Sequence, residues 1–487
     1  AAEAMRRAGI PAEALEAERQ LQSDVDFYSL KVFEAQKAND NTAVKANEKL
    51  RFEKNSRLDE LRRGLAQHFP ALATAKGQAY KANLNDLIAY AEREQTLVIE
   101  YFWGRKSVYA LVVNGSGASF RRLCSSVSVT QSASTLAASL ANWDWILTDP
   151  ATAESVLRST GSLLSDSLLK PIFGQKPPER LLCIPDGVLG LLPLEALPIP
   201  GKPLDGGMAA FPYLIRQTEV WYAWSAALLL GPKSGLPAPK NKQVLAMAPM
   251  AGEGFAGTAN DVGKLPESQQ EMTALASHCA GQYFLGKSAT KEVFLREAPS
   301  YSILHLALHG NLSGETSAFS NLGFGSDSGA VPLYAWEIER LHLPADMVVL
   351  SACETGAGTL ARGEGVLSLG RSFISQGARS VVTTLWKVED KAAARLMDRF
   401  YAALASGQGR GQALRQAKLD YLAQADDFTA HPAFWAAFVL MGDVGVIEFE
   451  EGGNRKWEWI WWAIGPLFAV AVWIWFRGRL SRANHTI

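Results

Sequence analysis

Hydrophobic and polar positions fall into distinct textures along this chain. Between residues 13 and 69 the sequence is rich in Glu, Lys, Arg, Ala and Leu, with apolar residues at 21, 25, 28, 32 and 35 and again at 58, 61 and 65. Spacings of three and four put these on one face of an α-helix. The cluster Asn39-Asp40-Asn41 interrupts the pattern and Pro70 follows it, which predicts two antiparallel helices. No repeat of about 34 residues, the period of one common helical array, is visible. A further helix is predicted from about Lys81 to Glu94, after which the period shortens. TLVIEYFWG and SVYALVVNG are β-rich runs on either side of a polar Arg105-Lys106 turn and read as a hairpin. Helical stretches then lead to a strand at LLCIPDG. The polar, Gly- and Pro-rich segment from Gly231 to Lys242 reads as a linker or exposed loop.

Two later runs carry the candidate chemistry. SILHLALHG (Ser302 to Gly310) and MVVLSACETG (Met347 to Gly356) are apolar stretches that stop abruptly at a polar tip. Such runs read as buried parallel strands, which places His309 and Cys353 at strand C-termini, where open α/β sheets keep their chemistry. A His within hydrogen-bonding distance of a Cys is what turns a thiol into a nucleophilic thiolate near neutral pH. A lone Cys is usually a small buried hydrophobe and a lone His a satisfied core residue. Here the two occur together, 44 positions apart, close to the His-to-Cys separation of roughly 50 found in caspases.

Other readings of these residues are weaker. His305 and His309 have the i, i+4 spacing of a helical zinc pair, but on a strand that spacing separates side chains by roughly 13 Å, and Leu306 stands where a metalloprotease needs Glu. No metal is therefore expected. The glycine-dense GAGTLARGEG (Gly356 to Gly365) lacks the GK[ST] ending of a phosphate loop and reads as a loop shaping a substrate cleft; no cofactor is expected. Glu354 and Asp390 are candidates to line a pocket for a basic P1 side chain, with helix capping as the alternative for Asp390. Asp186, in Pro185-Asp186-Gly187, reads as a turn residue.

Composition narrows the partners. Hydrophobic residues make up 48% of the chain and the formal net charge is −1, so large cores can form and no polyanion-binding signature is present. Nucleic acid is not an expected partner. Cysteines at 124, 183, 279 and 353 show no CxxC or zinc spacing and make no disulfide framework, although one bridge stays open. The chain opens at Ala1 without an initiator Met or an apolar signal segment, and reads as a processed or shortened form of a longer protein. At the other end, Trp459 to Phe476 is an 18-residue stretch without a charge, bracketed by Arg455 and Lys456 before and Arg477, Arg479 and Arg482 after. With Trp457, Trp459, Trp461, Trp462, Trp473 and Trp475 near its ends, it predicts a single transmembrane helix over residues 457 to 476 and a membrane location. The charge bias favours a cytoplasmic tail, whereas a tail-anchored chain would keep the remainder cytoplasmic; the side is left open.

HLALHG, VVLSACETGAG, GEGVLSLGRSFISQGARSVVTTLWKVED (Gly363 to Asp390), LMDRFYAAL, ALRQAK and HPAFWAAFVLMGD (His431 to Asp443), with LLCIPDGVLGLLPLEALPI upstream, resemble the CHAT-domain family of caspase-like cysteine peptidases, a group that includes separases. The resemblance covers roughly residues 80 to 447. It implies an α/β fold, a caspase-like sheet with flanking helices in two halves, and a His–Cys dyad with His309 as general base and Cys353 as nucleophile. It also implies an oxyanion hole from the backbone amides of Gly310 and Cys353, a protein or peptide substrate, and a regulatory protein acting through the N-terminal helices, with a hairpin that merely packs on the catalytic domain as the equal alternative. The expected organisation is a helical extension (1–78), a non-catalytic half (79–232), a catalytic half (233–447), a linker (448–456), the transmembrane helix (457–476) and a basic tail (477–487). The competing class is a catalytically silent scaffold that binds a partner.

Overall fold

The computed structural model describes residues 11–38, 40–68, 82–231, 239–249, 266–311, 320–326, 330–351 and 367–448. The N-terminal periodicity becomes two helices, α1 (Ala12–Lys37) and α2 (Asn41–His68), that form an antiparallel hairpin. Asp40 starts α2, its Oδ1 accepting from the N–H groups of Ala43 at 3.0 Å and Thr42 at 3.1 Å. Lys54 meets Asp24 at 2.6 Å and Arg62 meets Glu18 at 2.9 Å across the hairpin.

Beyond α3 (Leu84–Arg93), capped by Asn83, the chain builds one mixed sheet of eleven strands in the order β3-β2-β1-β4-β5-β14-β13-β12-β8-β6-β7. These are β1 (Leu97–Trp103), β2 (Ser107–Asn114), β3 (Gly117–Ser125), β4 (Arg180–Ile184), β5 (Glu219–Tyr222), β6 (Asn241–Ala248), β7 (Gly281–Leu285), β8 (Tyr301–Leu306), β12 (Met347–Leu350), β13 (Ser380–Thr384) and β14 (Phe438–Gly442). A separate sheet holds β9 (His309–Asn311), β10 (Asn321–Phe324) and β11 (Val331–Tyr334). Flanking helices include α4 (Ser126–Ala141), α5 (Pro150–Leu164), α6 (Pro266–His278), α7 (Leu367–Ser375), α8 (Asp390–Ala405) and α9 (Arg410–Gln424).

Layering explains the apolar runs. Every residue of β8, β12, β13 and β14 is buried, as expected of strands covered on both faces. Side chains alternate across the sheet. Ile303, Ala307, Met347 and Val349 join the core that contains Leu396, Phe400 and Tyr401 of α8, whereas Leu304, Leu306, Val348 and Leu350 join Phe373 of α7 and Phe324 of β10. β14 closes the sequence gap between the early and late strands, pairing antiparallel with β13 and, at Met441 and Tyr222, parallel with β5. Its last residue, Gly442, has φ +101°, and a Cβ there would lie 2.5 Å from the Arg379 carbonyl oxygen, so the turn out of the strand demands glycine.

The structure corrects the expected membrane location. No helix among the described residues is long and apolar enough to cross a membrane. Helices α1 and α2 have the length, at 26 and 28 residues, but carry charges throughout. The uninterrupted helical run over residues 150–173 carries Glu154, Arg158, Asp166 and Lys170, charges that a hydrocarbon core does not accept. Residues 457–476, on which that expectation fell, lie outside the described residues.

Candidate active site

Strands β8 and β12 are parallel neighbours, in register from Met347 opposite Ile303 to Leu350 opposite Leu306. His309 is the third residue after Leu306, and Cys353 is the third after Leu350. The two strands therefore end level with one another, at Leu306 and Leu350. One detail departs from the sequence expectation. The run Ser302 to Leu308 is not a single strand, because β8 stops at Leu306 and His309 opens β9 of the small sheet, opposite Gly323 of β10. His309 is half-buried there, and Gly310 is buried opposite Leu322. Cys353, Glu354 and the loop from Gly356 to Gly365 lie outside the described residues.

Helix α8 begins at Asp390, one residue earlier than the sequence suggested. The capping alternative for Asp390 is corrected accordingly: Glu389 is the cap, its carboxylate accepting from the Ala392 N–H at 2.8 Å. Nothing is described of the Asp390 side chain.

The described cysteines are poor nucleophiles. Burial pushes the Cys279 thiol up to about 12, raises Cys183 well above its usual range and raises Cys124 as well, so all three stay protonated near neutral pH.

Just inside the sheet from His309 lies a polar cluster around His305 whose other members the sequence did not single out. His305 on β8 is wholly buried, with Nδ1 2.9 Å from the hydroxyl of Tyr401 on α8. Its Nε2 is 3.3 Å from Oε1 of Glu271 on α6 and out of line for a hydrogen bond. That same Glu271 oxygen accepts a hydrogen bond from the hydroxyl of Ser351, the residue after β12. Burial pushes the Tyr401 phenol well above its ordinary range and keeps it a donor.

The other sequence blocks build the frame. Asp186 is a tie rather than a bare turn residue, its carboxylate accepting from the Trp103 N–H at 2.6 Å and so joining the ends of β1 and β4. Glu195 and Lys418, both buried, meet at 2.7 Å, and Tyr222 donates its hydroxyl to the second Glu195 oxygen. Trp435 and Tyr213 both donate to the Ala430 carbonyl at 3.0 Å. The hairpin reaches this frame through Asp26, which pairs with Arg340 beyond β11, while the Arg340 guanidinium lies 4.7 Å from the centre of the Trp336 ring.

A family model described as the CHAT domain matches residues 158–443, more than half of the chain. Two curated relatives, both described as tetratricopeptide repeat protein 28, come from Mus musculus and Homo sapiens and are 25% identical over 214 residues. The match takes in 37% of this chain but 9% of the mouse protein and 8% of the human one, so the chain spans under a tenth of their length. Among solved structures, the Saccharomyces cerevisiae separase-securin complex is similar at a TM-score of 0.48 and 10% identity, over 84% of this chain and 34% of that one. The Arg-specific cysteine proteinase gingipain R is similar at a TM-score of 0.37 and 8% identity, over 62% of this chain and 69% of that one.

Proposed function

The chain belongs to the CHAT domain family, and from that premise we propose that it is a cysteine endopeptidase whose general base is His309 and whose nucleophile is Cys353. The observation that supports this reading is the register of β8 and β12, whose paired ends, Leu306 and Leu350, each lie three sequence positions before one of the two residues. The elevated thiols of Cys124, Cys183 and Cys279 support it by elimination.

In this reading His309 takes the Cys353 proton and the thiolate attacks the scissile carbonyl carbon. The backbone amides of Gly310 and Cys353 donate to the resulting oxyanion. His309 then returns the proton to the leaving amine, a thioester remains on Cys353, and water activated by His309 hydrolyses it. Residues 233–447 form the catalytic half and 79–232 the half that supports it. Glu354 or Asp390 lines the P1 pocket, where a carboxylate favours Arg or Lys. A partner protein engages the helices of residues 1–78; the Asp26–Arg340 pair supports this, because it ties α1 to the segment that follows β11, in the small sheet that also contains His309.

Cys353→Ala should abolish peptide cleavage and leave the fold intact. His309→Ala should match it within about tenfold, since nucleophile and base act as a unit. More than a few per cent of residual activity in either variant would remove the assignment.

A further inference from the structure

Glu271, His305, Ser351 and Tyr401 come from α6, β8, the end of β12 and α8, and they converge at the C-terminal ends of β8 and β12. Ser351 is held twice. Its N–H donates to the Leu306 carbonyl of β8 at 3.0 Å, and its hydroxyl donates to Glu271. Glu271 is 6% exposed, and among the described residues no Lys or Arg pairs with it, while the His305 Nε2 lies 3.3 Å away and out of line. A carboxylate buried on such terms is costly, and an apolar side chain would fill the site at lower free energy. The hydrogen bond it makes lies two residues ahead of Cys353 in the chain.

We infer that Glu271 is a positioning residue for the nucleophile: by holding the Ser351 hydroxyl it fixes the direction in which the chain leaves β12 toward Cys353. This rests on the peptidase reading and deepens it. The backbone bond fastens Ser351 to β8 and the side-chain bond fastens it to α6, two anchors on one residue. Displacing a reacting group by about 1 Å can cost on the order of a hundredfold in rate, so one lost anchor has a measurable effect on turnover.

The test compares full-chain Ser351→Ala, Glu271→Leu and Glu271→Gln. Glutamine keeps an oxygen acceptor for Ser351, whereas leucine fills the space without one. Ser351→Ala and Glu271→Leu should lower kcat per titrated active site by about 10- to 100-fold with KM within about twofold, and the double variant should be no worse than the weaker single, because both remove one anchor. Glu271→Gln should return kcat to within about threefold of the unaltered chain. Alkylation of Cys353 by iodoacetamide, which needs no substrate alignment, should change much less than labelling by a peptide electrophile. A merely structural role would shift the unfolding temperature and the folded yield but not kcat per titrated site. Unchanged kcat in Ser351→Ala, or a Glu271→Gln variant as slow as Glu271→Leu, overturns the inference; if Glu271→Leu does not fold, Ser351→Ala decides alone. If the unaltered chain neither cleaves nor labels at Cys353, the peptidase reading fails and this inference falls with it, an outcome distinct from an active enzyme indifferent to Ser351.

Discussion

Lys418→Met isolates a buried charge pair that ties α9 to the segment after β4. Lys418 and Glu195 are 2% and 3% exposed and 2.7 Å apart. One Glu195 oxygen takes the ammonium, and the other takes the hydroxyl of Tyr222, which itself accepts the Leu194 N–H at 2.7 Å. Burial and the adjacent Glu195 push the Tyr222 phenol well above its usual range, so it remains a donor. Methionine keeps most of the packing volume of the lysine stem and removes only the charge, which leaves Glu195 buried with one hydroxyl for company. The expected loss is about 3–5 kcal/mol, the cost of an uncompensated buried charge. Glu195→Gln in the same chain removes that charge while keeping an acceptor for Tyr222, so the double variant should recover to within about 1–2 kcal/mol of the unaltered protein. Urea unfolding at pH 7, followed by the fluorescence of the buried tryptophans, reads both changes. A loss below about 1 kcal/mol for Lys418→Met, or a double variant as unstable as the single, would refute the reasoning.

Two further predictions concern pH and specificity. Burial pushes His431 down to about 4. The unfolded chain therefore binds a proton below about pH 6.5 that the folded chain refuses, and stability present above that pH is lost as pH falls toward 4, by up to about 3 kcal/mol; His431→Gln should flatten this slope in urea titrations between pH 7 and 5. Replacing the P1-lining acid by its amide, Glu354→Gln or Asp390→Asn, should lower kcat/KM for Arg or Lys substrates by about 2–4 kcal/mol and affect neutral P1 residues much less, and equal losses on both substrate types would assign the residue a structural role.

Local rules made part of this fold legible. The hairpin α1–α2 follows from apolar spacings of three and four, and its break at Asp40 is the cap of α2. The strand pair β1–β2 follows from two β-rich runs and the polar turn between them. Strand β3 was missed because GASFRRLCS lies at the sheet edge with most of its side chains exposed, leaving no apolar run; the Asn114-Gly115-Ser116-Gly117 turn ahead of it was the available signal. β9 has only three residues, and pairing with β10 rather than hydrophobicity defines it. The position of His309 just past β8 was readable from the end of an apolar run, whereas its pairing in β9 was not. The Glu271, His305, Ser351 and Tyr401 cluster was not, because its members are spread over 130 positions and each alone looks like an ordinary core or surface residue. Glu195 and Lys418, 223 positions apart, were hidden for the same reason.

The dyad itself is tested most directly by treating the full chain with a peptide electrophile bearing a basic P1 residue and mapping the adduct by mass spectrometry. The expected result is one adduct, on Cys353, that is lost in His309→Ala, with Cys124, Cys183 and Cys279 unmodified. Labelling that persists undiminished in His309→Ala, or that spreads over the other cysteines without favouring Cys353, would contradict a His309–Cys353 peptidase.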